Sequence, residues 1–278
     1  MGEQPARAGG DRVNVLADIV AARRRRVARD LGGVPREELE RRAAAGRPRR
    51  PFAAALADSP NVAVIAEVKR SSPSAGGIAP ECDAAAQAHA YERGGAAAIS
   101  VLTEPERFGG SFEDLAAVAA AVRLPVLCKD FVVDPAQLYL ARAAGADAVL
   151  LMASVLGSDL ARFGEIASSI GLEALVEVHD EAELERAKRA GARVVGVNAR
   201  DLRTLAIDAK RARELVRRAR ELAEVVVAES GIRSRADVEA AAAAGADAVL
   251  VGTALMEASS PEDAVRGLTG VGKENGHA

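Results

Sequence analysis

Four segments of this chain repeat one pattern: RGGAAAISVL at 93–102, AAGADAVLLM at 143–152, RAGARVVGVN at 189–198 and AAGADAVLVG at 243–252. Each joins an alanine-rich helix end to a glycine and then to a short apolar strand. Gly95, Gly145, Gly191 and Gly245 stand where a helix C-terminus needs a residue free to adopt a left-handed conformation. A recurring helix–glycine–strand unit predicts parallel strands linked by crossover helices, and few folds satisfy that.

Between the repeats lie further apolar runs, at Val62–Val68, Pro125–Cys128, Leu172–Val178 and Val225–Ala228. Together the runs predict eight strands. Helices are expected to begin near Pro80, Ser111, Asp134, Ser158, Asp180, Asp208, Ser234 and Pro261, most of them with Ser or Asp as the N-cap. Eight near-equal units over 61–270 predict an α/β fold, a (β/α)8 TIM barrel. A doubly wound open sheet is the alternative, but it leaves two edges to protect.

Upstream, residues 12–60 read as an N-terminal helical extension, with helices over Val13–Ala28, Glu37–Ala45 and Phe52–Ala57 and a Gly/Pro break at 46–51. Residues 1–11 and 271–278 read as disordered tails. The basic run Arg23–Arg26 reads as a solvated helix face rather than a nucleic-acid patch.

Composition removes several classes of function. Aromatics make up 3% with no Trp, and the net charge is −3, so neither a stacking platform nor an electrostatic nucleic-acid binder is expected. No apolar run reaches membrane-spanning length and no signal-peptide core is present. Cys82 and Cys128 form neither a disulfide framework nor a metal spacing and read as reduced thiols of a cytoplasmic protein. His89 and His179 stand in no metal-ligand cluster, and His179 reads as a loop residue that orients its neighbours.

Active sites of such barrels form at the C-terminal ends of the strands. Reading those ends gives Glu67 and Lys69, Thr103 and Glu104, Lys129 and Asp130, Glu177, Asn198 and Arg200, and Glu229 with Ser230. Glu67 and Lys69 are two residues apart on a strand, so they project to one side. Charges there are costly unless paired or bound to a ligand. The last two strands end in Glu229-Ser230-Gly231 and Val251-Gly252-Thr253, at the frequent phosphate site of these barrels.

The segments IAEVKRSSPS (65–74), ISVLTEPERFGGSFEDL (99–115), LCKDFVVDPAQLYLARAAGADAVLLM (127–152), ALVEVHDEAEL (174–184), VGVNARDL (195–202) and VAESGI (227–232) resemble the indole-3-glycerol phosphate synthase family of tryptophan biosynthesis. The resemblance runs in order over most of 12–257, the N-terminal helices included. It implies a carboxy-lyase acting on 1-(2-carboxyphenylamino)-1-deoxyribulose 5-phosphate, a phosphosugar joined to anthranilate. Ring closure with loss of carbon dioxide and water gives indole-3-glycerol phosphate, with no metal and no organic cofactor.

By motif position the resemblance implies Lys129 as the general acid and Glu177 as an acid/base partner. Lys69 then contacts the substrate carboxylate or serves as second acid, with Glu67 orienting it or acting as base. Asn198, Arg200, Glu229 and Ser230 are implied to bind substrate. Ser72, Gly231, Gly252 and Thr253 are implied to hold the phosphate, Thr253 standing where Ser is expected. A monomer or weak homodimer is expected, with no nucleic-acid or membrane partner. A phosphoribosylanthranilate isomerase relative would share the phosphate loops but not Glu67 and Lys69 together with Lys129. A non-catalytic paralogue would keep the ligand site without turnover.

Overall fold

The structure, a computed structural model, describes residues 15–274. The tail expected over 1–11, Val13 with it, and residues 275–278 of the expected C-terminal tail lie outside the described residues.

Eight parallel strands close on themselves: β1 (Ala63–Val68), β2 (Ala98–Leu102), β3 (Val126–Lys129), β4 (Ala148–Met152), β5 (Glu173–Val178), β6 (Val194–Asn198), β7 (Val225–Glu229) and β8 (Ala248–Val251). β1 closes the ring by pairing with β8, Ala63 opposite Ala248, and with β2, Ile65 opposite Ala98. The chain folds as the expected (β/α)8 barrel. The four repeat glycines all take positive φ: Gly95 +92°, Gly145 +91°, Gly191 +70° and Gly245 +94°.

Helix starts follow the side chains that satisfy their first N–H groups. Ser111, Asp180, Asp208 and Ser234 each accept a backbone N–H at the expected cap. Pro80 does not start a helix: the chain first forms a two-stranded ribbon, Ser71–Ser72 against Gly76–Gly77, and Asp83 then caps Ala84–Arg93. The helix expected near Ser158 begins at Leu160 after a 3-10 turn over Gly157–Asp159.

Strand alternation divides the core in two. Outward residues such as Val64, Val101, Val149 and Val195 pack against the surrounding helices. Inward residues Ala63, Ile65, Leu127, Leu150, Leu175, Val194, Val225 and Val227 fill the lumen. Of the three upstream helices, α1 (Val15–Leu31) sends Ile19 into the lumen cluster. α2 (Arg36–Ala44) packs Leu39 and Ala43 on Tyr139. α3 (Phe52–Ala57) plugs the strand-start end with the fully buried Phe52 and Leu56. Glu173, at the start of β5, accepts Phe52 N (3.2 Å) and Ala53 N (2.8 Å), placing a carboxylate on the N-terminus of α3.

Arg23 is not part of a solvated face: it is buried and makes a two-armed ion pair with Asp130, Nε–Oδ1 2.9 Å and Nη2–Oδ2 2.6 Å. Every fourth residue of α1 faces the barrel, and Arg23 follows Ile19 on that stripe. Residues 271–273 are not tail. Val62 N donates to Val271 O at 2.7 Å, Asn61 bridges Gly272, and Lys273 Nζ reaches the carbonyls of Leu56 (2.8 Å) and Ala57 (2.9 Å).

Candidate active site

The alternation that fills the lumen also selects the site. Counting two residues on from the inward apolar positions gives Glu67 after Ile65, Lys129 after Leu127, Glu177 after Leu175 and Glu229 after Val227. These side chains surround a cavity of ≈ 330 Å³ at the C-terminal end of the barrel. Lys69, Ser72, Asn198, Arg200, Ser230, Gly231, Gly252 and Thr253 line it too, so the twelve residues to which the resemblance gave a catalytic, substrate or phosphate role meet in one place.

Lys129 is central. Its Nζ lies 3.1 Å from Glu229 Oε2 and 3.3 Å from Glu177 Oε2. Lys69 Nζ lies 3.0 Å from Glu67 Oε1. Burial opposes the charge on Lys129, but Glu229, Glu177 and Glu67 outweigh it and hold the pKa above the usual lysine range. Burial pushes Glu229 up to about 7, with Glu177 and Glu67 adding like-charge repulsion against the pull of Lys129. Glu177 is also buried, yet Lys129, His179 and a hydrogen bond from Asn198 bring it below the usual glutamate value. Two neighbouring carboxylates are therefore driven apart in acidity, the arrangement that separates acid from base roles.

The carboxylates are not saturated. Glu67 Oε2, Glu177 Oε1 and Glu229 Oε1 are buried without a hydrogen-bond partner among the described residues. The Glu67 and Glu229 atoms suit a site that completes its hydrogen bonds with a polyhydroxyl ligand, while Glu177 Oε1 lies beside His179. Among the described residues, no group of three or more His, Cys, Asp or Glu is disposed to hold a metal ion.

Two loops shape one wall. After β7 the chain takes positive φ twice in succession, Ser230 +66° and Gly231 +80°. A non-glycine residue held there is a local cost of the kind that gathers at binding sites. After β8, a side chain at 252 would collide with Glu67 Oε1 and come within 3.0 Å of Lys69 Nζ. Gly252 is thus required for the Glu67–Lys69 pair to reach the cavity, and Thr253–Met256 follows as a four-residue helix. Ser72, buried on the ribbon, turns its hydroxyl toward Ser74 Oγ (3.4 Å) and accepts Ala75 N (3.1 Å). Arg200 donates to Leu205 O at 2.9 Å, and burial lowers its pKa.

Other strand-end residues have structural work. Asp130 lines the cavity but is engaged by Arg23 and by Thr103 Oγ1 at 2.8 Å. Glu104 accepts the N–H groups of Glu106, Arg107 and Phe108, and so folds the loop behind it.

The apolar wall was not anticipated from sequence. Val15 and Ile19 of α1, Phe108, Phe131, Leu202, Leu205 and Ile207 complete the lining. Phe108 and Phe131 lie 6.0 Å apart, tilted by 40°. In a chain with five Phe and no Trp, two of them beside the CKDF and ERF motifs were a usable signal.

The family model described as indole-3-glycerol phosphate synthase matches residues 16–268. A protein of that name from Micrococcus luteus is 48% identical over 261 residues, covering 91% of this chain and 96% of its own. Indole-3-glycerol phosphate synthase 1 of Streptomyces coelicolor is 50% identical over 264 residues, covering 94% and 97%. Among solved structures, a Pyrococcus furiosus thiamine phosphate pyrophosphorylase aligns with TM-score 0.59 at 18% identity, over 78% of this chain and 96% of its own. A mutant tryptophan synthase α-subunit from the same organism aligns with TM-score 0.58 at 18% identity, over 74% and 97%. At that identity the two structures share the fold.

Proposed function

This chain belongs to the indole-3-glycerol phosphate synthase family, and from that premise we propose how its residues divide the closing of an indole ring. The protein is a carboxy-lyase of tryptophan biosynthesis that converts 1-(2-carboxyphenylamino)-1-deoxyribulose 5-phosphate to indole-3-glycerol phosphate. The ring carbon bearing the carboxylate attacks the ribulose carbonyl carbon while a proton is delivered to the carbonyl oxygen. Carbon dioxide then leaves, and the new hydroxyl departs as water with acid and base help.

Lys129 is the general acid of ring closure. The observation that carries this is its ammonium, held between Glu177 and Glu229 on the cavity floor and kept charged by them. It donates a proton and offsets charge developing on oxygen. Glu177, ionised beside it, is the base. Glu67 aims Lys69, which meets the substrate carboxylate or gives the second proton. Asn198, Glu229, Arg200 and Ser230 hold the hydroxyls, and the phosphate sits against Ser72, Gly231, Gly252 and Thr253. The wall of Ile19, Phe108 and Phe131 receives the aryl ring, since flat apolar surface is what those side chains offer.

The same reading makes this a cytoplasmic enzyme that works as a monomer or weak homodimer. Ile207, 44% exposed at the cavity mouth, is the one exposed large hydrophobic side chain among the described residues. Sedimentation would measure the state directly.

The deciding experiment mixes purified protein with the carboxyphenylamino-deoxyribulose phosphate, without added metal, and follows indole fluorescence. The indole signal is the expected result. Tight binding without signal would mean a ligand-binding paralogue, and absence of both signal and binding would overturn the assignment.

A further inference from the structure

We propose that His179 is a positioning residue for this reaction, a fixed imidazolium that keeps Glu177 a carboxylate while Lys129 is without its proton. The inference rests on the roles given above to Lys129 and Glu177.

Glu177 faces a different cation with each oxygen. Oε2 lies 3.3 Å from Lys129 Nζ, and Oε1 lies 3.3 Å from His179 Nε2, close but not aligned as a hydrogen bond. Lys129 lines the cavity, whereas His179 stands behind Glu177 and does not. One cation is thus available to the substrate and the other is not.

The imidazole is held by the start of the next helix. Asp180 caps Glu181–Arg189 by accepting Glu183 N at 2.9 Å, and the Glu183 side chain turns back to His179. Glu183 Oε2 accepts the His179 backbone N–H at 2.8 Å and lies 3.1 Å from Nδ1. Arg211 donates to the His179 carbonyl at 3.1 Å. With ring and backbone both tied, Nε2 is held 3.3 Å from Glu177 Oε1.

Charge counting gives the consequence. In the resting site Lys129 offsets Glu177, Glu229 and Glu67. In ring closure the Nζ–H bond breaks and an O–H bond forms on the ribulose oxygen, leaving a neutral amine among three buried carboxylates. Like charges that close favour protonation of one of them. A protonated Glu177 could no longer accept the proton released in dehydration. His179 transfers no proton; its charge stays in place through both steps.

The groups facing His179 are Glu177 from β5, Glu183 from the following helix, Glu229 from β7 and Asp201 from the loop after β6, with Arg211 approaching only the carbonyl. Burial disfavours the imidazolium, but the surrounding carboxylates outweigh it and raise its pKa above the ordinary histidine value. It therefore stays charged to higher pH than a free histidine.

The test is the pH dependence of kcat in full-length His179→Asn and Glu183→Gln, with Glu177→Gln alongside. In His179→Asn the acid limb should move up by about half a unit to one unit, the size of one close charge. KM should change less than about two-fold, because the side chain does not reach the cavity. Glu183→Gln should move the limb the same way by less, and it carries the test if His179→Asn does not fold. Limbs unmoved in both variants while Glu177→Gln is inactive would overturn the role of His179 alone. Parental turnover in Glu177→Gln would instead remove the role of Glu177, and that of His179 with it.

Discussion

Gly196 of β6 and Glu229 of β7 share one space: a Cβ at 196 would overlap Glu229 Oε1. Asn198 pairs with Glu229 in the strand register, so Gly196 lies one inward layer below it. The missing side chain is what lets the carboxylate turn into the lumen toward Lys129. Gly196→Ala should therefore push Glu229 off Lys129 and lower turnover by about ten-fold or more, the scale of a displaced catalytic contact. Circular dichroism should show the barrel intact. A folded variant with parental turnover would mean the carboxylate finds another route.

Lys129→Ala removes the proton donor and leaves Glu177 and Glu229 facing each other. Turnover should fall by roughly 10²-fold or more, the range of general-acid catalysis. Steady-state assay across pH checks this, and near-normal turnover would discard the assignment.

Glu229 carries a stability cost that depends on pH. Its carboxyl is raised from 4.5 to about 7 in the fold. Between those values the folded protein binds the proton more tightly than the unfolded chain, so this group's contribution falls as pH rises through that window. Glu177 has the opposite sign: its lowered pKa gives stability that is present above the unfolded value and lost as pH drops through the folded one. Glu229→Gln should thus be more stable than the parent at pH 8 by on the order of 1–3 kcal/mol, several degrees in Tm, with the difference closing near pH 4. Thermal melts at both pH values decide it.

Inorganic phosphate should compete with substrate, because Ser230 and Gly231 after β7 and Gly252 and Thr253 after β8 line the cavity at the frequent phosphate position of such barrels. Phosphate should raise KM without lowering kcat. Thr253→Ser should keep that competition, since the hydroxyl remains, while a bulkier residue at Gly252 should abolish it by displacing Glu67. Absence of competition at high phosphate would count against the site.

Arg23→Met should destabilise the protein by roughly 3–5 kcal/mol, the cost of stranding a buried partner charge. Asp130 would keep only Thr103 as a side-chain partner. Because Asp130 follows Lys129 directly, kcat should fall as well. A variant as stable as the parent would show that Asp130 protonates or finds solvent.

The barrel was legible because its signal is local and repeated. Gly95, Gly145, Gly191 and Gly245, all at positive φ, each close a helix and precede an apolar strand, and the apolar runs between these repeats bring the count to eight. The site was legible for the same reason: the last inward position of a strand is fixed by a period of two, and Glu67, Lys129, Glu177 and Glu229 all fall on it. What escaped depends on distant partners. Nothing local distinguishes Arg23 from the exposed Arg24 and Arg25; only Asp130, far along the chain, makes it a core residue. Ile19 and Phe108 likewise become cavity walls only once α1 and the loop after β2 fold over the mouth. Pro80 failed as a helix start because the chain stays irregular beyond the ribbon until Asp83 supplies a side chain that caps the first N–H groups.

The pairing of Asn61 with Gly272, and the grip of Lys273 on the last carbonyls of α3, lie at the strand-start end of the barrel, opposite the mouth. Anything fused downstream of residue 274 would hang from this underside, leaving substrate a clear approach. An affinity handle or a tethered second enzyme is therefore better carried there than in front of α1, which borders the entrance. Trimming the chain back to Gly270 would cut the stitch itself and loosen the plug that closes the floor.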